Sequence, residues 1–152
     1  MIYGWHYLLK PHLMQILYIT YDGLTDPLGQ SQIIPYLSGL SNAGYKITIL
    51  SCEKKEQFTK NHETIAAILE EHSISWHYVS YNKRPPITAT LWDLYRLKKT
   101  ANKLHKENVF KIVHCRSYIA SLIGLWLKTK FGIKFIFDMR GFYADERVDG
   151  AI

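Results

Sequence analysis

Cysteine is scarce in this sequence. Cys52 and Cys115 are the only two in 152 residues, and each lies beside an apolar run with no CxxC spacing. That excludes a disulfide framework and a cysteine-rich zinc site, and leaves two buried thiols in a reducing compartment as the expectation. Seven histidines are scattered without HExxH or any other ligand spacing, so no metal site is expected. Long apolar runs are missing as well. The opening "MIYGWHYLLKPHLMQILYIT" is broken by Lys10, Pro11 and His12 and falls short of the ~18 residues of a membrane span. It also lacks the charged start and small-residue cleavage site of a signal peptide. Residues 1–13 read as an extension outside the core fold, which then occupies 14–152.

Phosphate motifs built on several glycines are absent too. Neither GxGxxG nor GxxxxGK[ST] occurs, and no acid clearly ends the second strand, where Cys52-Glu53 is the nearest candidate. An NAD-dependent oxidoreductase is therefore a poor reading. No helix-turn-helix, RRM or KH pattern accompanies the positive charge, so nucleic acid is not an expected partner. There is no internal repeat and no low-complexity segment.

What is present is a folded composition, 47% hydrophobic and 14% aromatic, with a net charge of +6. Such an excess suits nucleotide phosphates or anionic head groups, although solubility alone would also account for it. Short apolar runs alternate with segments of helical period. Ile16–Thr20, Tyr45–Ser51, "ISWHYVS", "KIVHC" and "KFIFDM" read as five strands. Between them the pattern predicts helices over Ser31–Ala43, around Lys60–Glu71, through "LWDLYRLKKTANKLHKEN" and over "YIASLIGLWLKTKFG". Ser31 is the expected N-cap of the first helix, Gly44 its stop, and "NKRPPITA" a loop. The last helix is apolar nearly all round and is expected to be buried.

Five strands alternating with helices predict an α/β, doubly wound, mainly parallel Rossmann-like sheet with helices on both faces. In the common 3-2-1-4-5 order the first and fourth strands are neighbours where the order reverses, and ligands bind outside the strand ends there. The loop Asp22–Gln30, the end of the fourth strand (His114, Cys115, Arg116) and the end of the fifth (Asp138, Arg140) should then line one crevice.

Each of these residues carries a chemical and a structural reading. Gly29 before a helix permits a tight turn, and free N–H groups at Gln30–Gln32 would favour a phosphate or carboxylate; an ordinary strand-to-helix turn would need the glycine equally. Arg116 can pair an anionic oxygen in bidentate fashion and ranks ahead of His114, for which a satisfied core histidine is the alternative. Asp138 is placed to orient a hydroxyl or act as a base, or to form an ion pair with Arg140 or Arg116. The polar cluster continues through Gly141, Asp145, Glu146, Arg147 and Asp149. Arg96, Lys98, Lys99, Lys103 and Lys106 give the third helix a basic face, either simply solvated or turned toward an anionic bilayer.

"ILYITYDGLTDPLGQSQIIPYLSGLSNAGYKITILSCEK" resembles the opening of GT-B glycosyltransferases of the family 4, or group 1, type, in which a G-[HY]-x-[VI]-T strand follows the first helix; Gly44, Tyr45, Ile47 and Thr48 fit it. "IVHCRSYIASLIGLWLKTKFGIKFIFDMRGFYADERVDG" resembles the later part of the same N-terminal domain. The resemblance implies a retaining, metal-independent enzyme using a nucleotide-diphosphate sugar as donor substrate, with no tightly bound cofactor. Its active site would lie between two Rossmann-like domains, and it would act in surface polysaccharide or glycolipid assembly. It would place Gly29, Gln30 and Gln32 near the donor phosphates, Arg116, Arg140 and His114 at a sugar or lipid-linked sugar acceptor, and Asp138 at the reacting centre. The chain departs from that pattern with Leu28-Gly29 in place of a Gly-Gly pair and with Asp138 where many relatives have histidine. The resemblance also implies a C-terminal donor domain that is absent here, so this fragment is expected to be inactive alone. A cytoplasmic location, peripheral contact with the inner membrane face and a crystal dimer through an exposed sheet edge are further expectations. The alternative is a stand-alone sugar- or phosphate-binding domain without catalysis.

Overall fold

The computed structural model describes residues 14–140. The expected extension at 1–13 and the polar cluster from Gly141 to Asp149 lie outside the described residues.

Five parallel strands form one sheet in the order β3-β2-β1-β4-β5. They are β1 (Gln15–Thr20), β2 (Lys46–Glu53), β3 (Ser75–Ser80), β4 (Ile112–Arg116) and β5 (Lys134–Asp138). The connecting helices are α1 (Ile34–Asn42), α2 (Lys55–Glu71), α3 (Pro86–Asn108) and α4 (Ser117–Phe131). The doubly wound architecture and the reversal between β1 and β4 match the expectation from the alternating pattern. Right-handed crossovers put α1 and α2 on one face and α3 and α4 on the other. Two cores result. Ile33, Leu37, Ile65 and Leu69 meet Tyr18, Ile47 and Ile49 on the first face; Leu97, Ala101, Ile123 and Leu127 meet Leu17, Ile19 and Val113 on the second.

Three boundaries and the burial of one helix differ from the sequence reading. The first helix begins at Pro27 rather than Ser31, opening with a π turn over Gly29–Ile33 before α1. Pro27 has no N–H to lose at a helix start, and the wide turn just ahead of Pro35 relieves the clash of its ring with the carbonyl four residues back. Ser31, expected as the cap, instead donates to the Pro27 carbonyl at 2.8 Å. Strand β2 runs on to Glu53, and α3 starts at Pro86, so Ile87–Ala89 are helical rather than loop. Helix α4 is not buried all round: Leu122 is 57% and Leu125 53% exposed. At the other end of α1, Gly44 closes the helix as expected, with φ of 95° and its N–H on the Ser41 carbonyl.

Candidate functional site

The register lines Thr20, Arg116 and Asp138 up side by side across β1, β4 and β5, at the carboxyl edge where the strand order reverses. One step back on the same face are Tyr18, His114 and Ile136. The predicted crevice therefore assembles: the loop after β1 and the ends of β4 and β5 meet.

Arg116 is its centre. The side chain is buried, with the residue 2% exposed. One Nη2 donates to Gln32 Oε1 at 2.8 Å, and Nε lies 3.6 Å from Asp22 Oδ2, too long for a hydrogen bond. Among the described residues Nε and Nη1 have no hydrogen-bond partner. The Asp22 carboxylate and the Gln32 amide offset part of the desolvation of this buried guanidinium, and the two unbonded donors leave room for a further acceptor. The backbone adds strain beside it: Ser117, the first residue of α4, has φ of 70°, a region that L side chains avoid.

His114 sits deeper. Its ring packs edge-on against Tyr18 at 4.9 Å and Tyr36 at 5.8 Å, with Nε2 4.0 Å from Asp138 Oδ2. Burial pushes its pKa down, with the Asp138 carboxylate opposing the shift less strongly. The imidazole is thus favoured neutral, a packed ring rather than a charged ligand group. Burial likewise pushes the Tyr18 phenol up to about 12, against the smaller opposing pull of Arg116. Asp138 forms the ion pair that was its structural alternative: Oδ2 accepts from Arg140 Nε at 3.1 Å, and Nη2 of the same arginine stands 3.0 Å away.

The loop residues have mixed fates. Gln32 faces Arg116, whereas Gln30 turns back to donate to the Thr25 carbonyl at 2.9 Å. The Gln30 N–H is not free for an anion, because it bonds the Asp26 carbonyl at 3.1 Å. Gly29 is buried, and a Cβ there would stand 2.3 Å from the Gly23 carbonyl oxygen and 2.5 Å from Leu24 Cα. Close packing of the helix start on the loop accounts for this glycine without any ligand.

Two buried acids hold this edge together; the sequence reading noted Glu53 only as the nearest acid to the end of the second strand and missed Asp93. Glu53 accepts from the N–H groups of Leu24 and Thr25 at 2.7 and 3.2 Å, and from the hydroxyls of Thr25 and Ser51 at 2.6 Å each. It ends β2, where an acid bound to a ribose would sit, yet both oxygens are spent on clamping the β1 loop. Asp93 accepts from the N–H and side-chain amide of Asn82 and from Arg96 Nη2, tying the loop after β3 to α3. The signals existed: Glu53 directly follows a buried run, and Asp93 falls on the helix stripe of Ala89, Leu97, Ala101 and Leu104.

Beside the crevice, a groove of about 440 Å³ opens between the β1 loop and the start of α2, lined by Asp22, Asp26, Leu28, Lys54 and Gln57 among others. Lys54 bridges to Asp26 at 2.8 Å on its wall. Among the described residues no group of three or more His, Cys, Asp or Glu is placed to hold a metal ion.

No protein-family model matches the sequence, and no curated protein sequence does. Solved structures do match the fold. The calicheamicin glycosyltransferase CalG4 is similar with a TM-score of 0.61 at 12% identity, over 91% of this chain and 37% of that one. The glycotransferase of kitacinnamycin is similar at 0.59 and 14% identity, over 90% of this chain and 34% of that one. The C-terminal domain of a hydrogenase from Pyrococcus furiosus is similar at 0.60 and 17% identity, over 83% of this chain and 91% of that one. The chain thus spans about a third of the length of the two sugar-transfer enzymes. These likenesses show a Rossmann-like fold.

Proposed function

We propose that this chain is the acceptor-side domain of a nucleotide-sugar-dependent glycosyltransferase of the GT-B type, retaining and of family 4, working in surface polysaccharide or glycolipid assembly. The observation that carries the reading is Arg116, a buried guanidinium with two open donors at the topological switch point. Its task is to bind an anionic or hydroxyl oxygen of the acceptor, with Gln32 fixing its orientation. Asp138, steadied by Arg140, orients an acceptor hydroxyl and takes up its proton as the glycosidic bond forms. His114 supports that row by packing. Gly29 and Gln30 shape the loop that lies toward the donor phosphates. The groups that stabilise the departing nucleotide belong to a second domain, so this chain alone is expected to bind without turning over.

The test has two parts. First, the chain is titrated with phosphate, sugar phosphates and nucleotide-sugars while the arginine side-chain N–H resonances are followed. Second, the reading frame is extended past codon 152 and the product assayed for nucleotide release from nucleotide-sugars. Shifts at Arg116 lost in Arg116→Ala, together with turnover by the longer protein, support the reading. No shift with any of these compounds and no turnover by the longer protein would end it.

A second reading is a sugar- or phosphate-binding domain without catalysis; the hydrogenase domain supports only that a similar fold occurs at nearly this extent. Binding at Arg116 without any turnover by the extended protein would select it.

A further inference from the structure

The two helix layers differ sharply in what they show to solvent. Helices α3 and α4 together carry seven Lys or Arg against two acids, Asp93 and Glu107, and Asp93 is fully buried. Helices α1 and α2 carry two lysines against four glutamates. The apolar distribution is equally one-sided. On α3, Ile87 is 78% exposed, Leu91 60%, Trp92 55% and Tyr95 54%, and the Trp92 and Tyr95 rings stack at 5.5 Å. Leu122 and Leu125 project from the neighbouring α4. Tyr36 is the exposed large apolar side chain of α1, and α2 shows none.

Such a face has three occupants to weigh. A second copy of this chain would bring two strongly basic faces together, which like-charge repulsion opposes. A neutral apolar partner would leave the lysines without a role. An anionic bilayer satisfies both features: Trp, Tyr and Leu seat at the head-group boundary while lysines meet the lipid charge. The two chemistries interleave on the surface itself, since the Lys98 and Lys130 ammonium groups lie 4.5 and 4.8 Å over the Trp126 ring.

We propose that the outward face of α3 and α4 is a docking surface for an anionic lipid bilayer, with Ile87, Leu91, Trp92 and Tyr95 inserting and Lys98, Lys99, Lys128 and Lys130 contacting head groups. Helices in this fold start at the carboxyl edge of the sheet. The inserting residues occupy the first half of α3, and the lysines of α3 lie further along. This inference rests on exposure and charge, not on the sugar-transfer reading, and fails or stands separately from it.

The experiment is co-sedimentation of the 152-residue chain with vesicles of phosphatidylcholine alone or with about 30% phosphatidylglycerol, at low and high salt. Binding to the anionic vesicles, weakened about tenfold by 0.5 M salt, is expected. The double variant Trp92→Ala/Tyr95→Ala and the double variant Lys98→Glu/Lys99→Glu should each lose it. Glu63→Gln/Glu71→Gln on the opposite layer should retain it. All these residues are exposed or half-buried, so unchanged circular dichroism and melting show that the variants fold. Equal sedimentation with neutral and anionic vesicles overturns the proposal, as does binding that survives both double variants. So does a dimer in sedimentation velocity that the aromatic double variant abolishes while no vesicle binding is seen.

Discussion

Gln32 and Arg116, 84 residues apart in sequence, meet through a 2.8 Å hydrogen bond from the guanidinium to the amide oxygen. This contact joins the π turn of the first helix to the last residue of a strand across the point where the sheet reverses order. Removing it in Gln32→Ala leaves a third donor of a buried cation idle, at a cost of about 1–2 kcal/mol. Urea unfolding measures this. Gln32→Glu should keep or raise stability while weakening any anionic ligand at Arg116, because it adds a second carboxylate beside the guanidinium, after Asp22; calorimetric titration with phosphate separates the two effects.

Glu53 is the second test, because four donors converge on its carboxylate. Glu53→Ala should cost about 3–5 kcal/mol, since the Leu24 and Thr25 N–H groups are left buried and unpaired. Thr25→Val, which removes the hydroxyl but not the N–H, should cost about 1 kcal/mol. A denaturation midpoint for Glu53→Ala close to the parent's would show that the loop does not need its clamp.

Gly29 and Gly39 make a matched pair within one helical segment. A Cβ on Gly29 strikes loop backbone at 2.3 Å, whereas one on Gly39 meets nothing within 4 Å. Gly29→Ala should destabilise by about 2–3 kcal/mol through overpacking against groups that cannot rotate away. Gly39→Ala should stabilise by about 0.5–1 kcal/mol through helix propensity. Opposite shifts in melting temperature are the expected outcome.

Histidine burial gives stability a pH dependence. The folded-state pKa of His114 lies below its unfolded value, chiefly through desolvation, and that of His105 is lowered by burial and Lys111. Below about 6.5 the unfolded chain therefore binds more protons, and stability falls with pH until the folded values are reached. His114→Asn should flatten that slope in part, and a second change at His105 should flatten it further. Melting temperature followed from pH 8 to 5 reads the slope directly, whatever each substitution costs at neutral pH.

Burial pushes both thiols, Cys52 and Cys115, up to about 12. With so little thiolate and no access, neither should react with iodoacetamide at pH 8 in the folded protein. Both should alkylate at once in urea. Mass spectrometry of the two reactions checks this, and a single modification in the native state would identify a thiol the fold exposes.

Much of this structure was legible from local pattern. Short β-branched runs separated by amphipathic stretches gave the five strands, their parallel pairing and the crevice between the loop after β1 and the ends of β4 and β5. Other features escaped for reasons of distance. The sequence places Gln32 at the crevice rim but not its bond to Arg116, which exists only once β4 brings the arginine beneath it; the Asp138–Arg140 pair, two residues apart, was one of two alternatives the sequence offered. Gly29 suggested a ligand, yet the atoms that forbid a side chain belong to Gly23 and Leu24 of the folded loop.

Sequence alone determined the layer architecture, because periodicity of 2 or 3.6 is a property of neighbouring residues and the crossover hand leaves few topologies. It also determined where ligands should approach, which follows from that topology. Tertiary structure decided which acids became clamps and which cation kept open donors, since burial and partnership depend on groups far apart in the chain. It also decided that α4 turns Leu122 and Leu125 outward beside the exposed half of α3. A helix apolar on every side can be recognised from its residues, but which side meets the sheet is set only by packing.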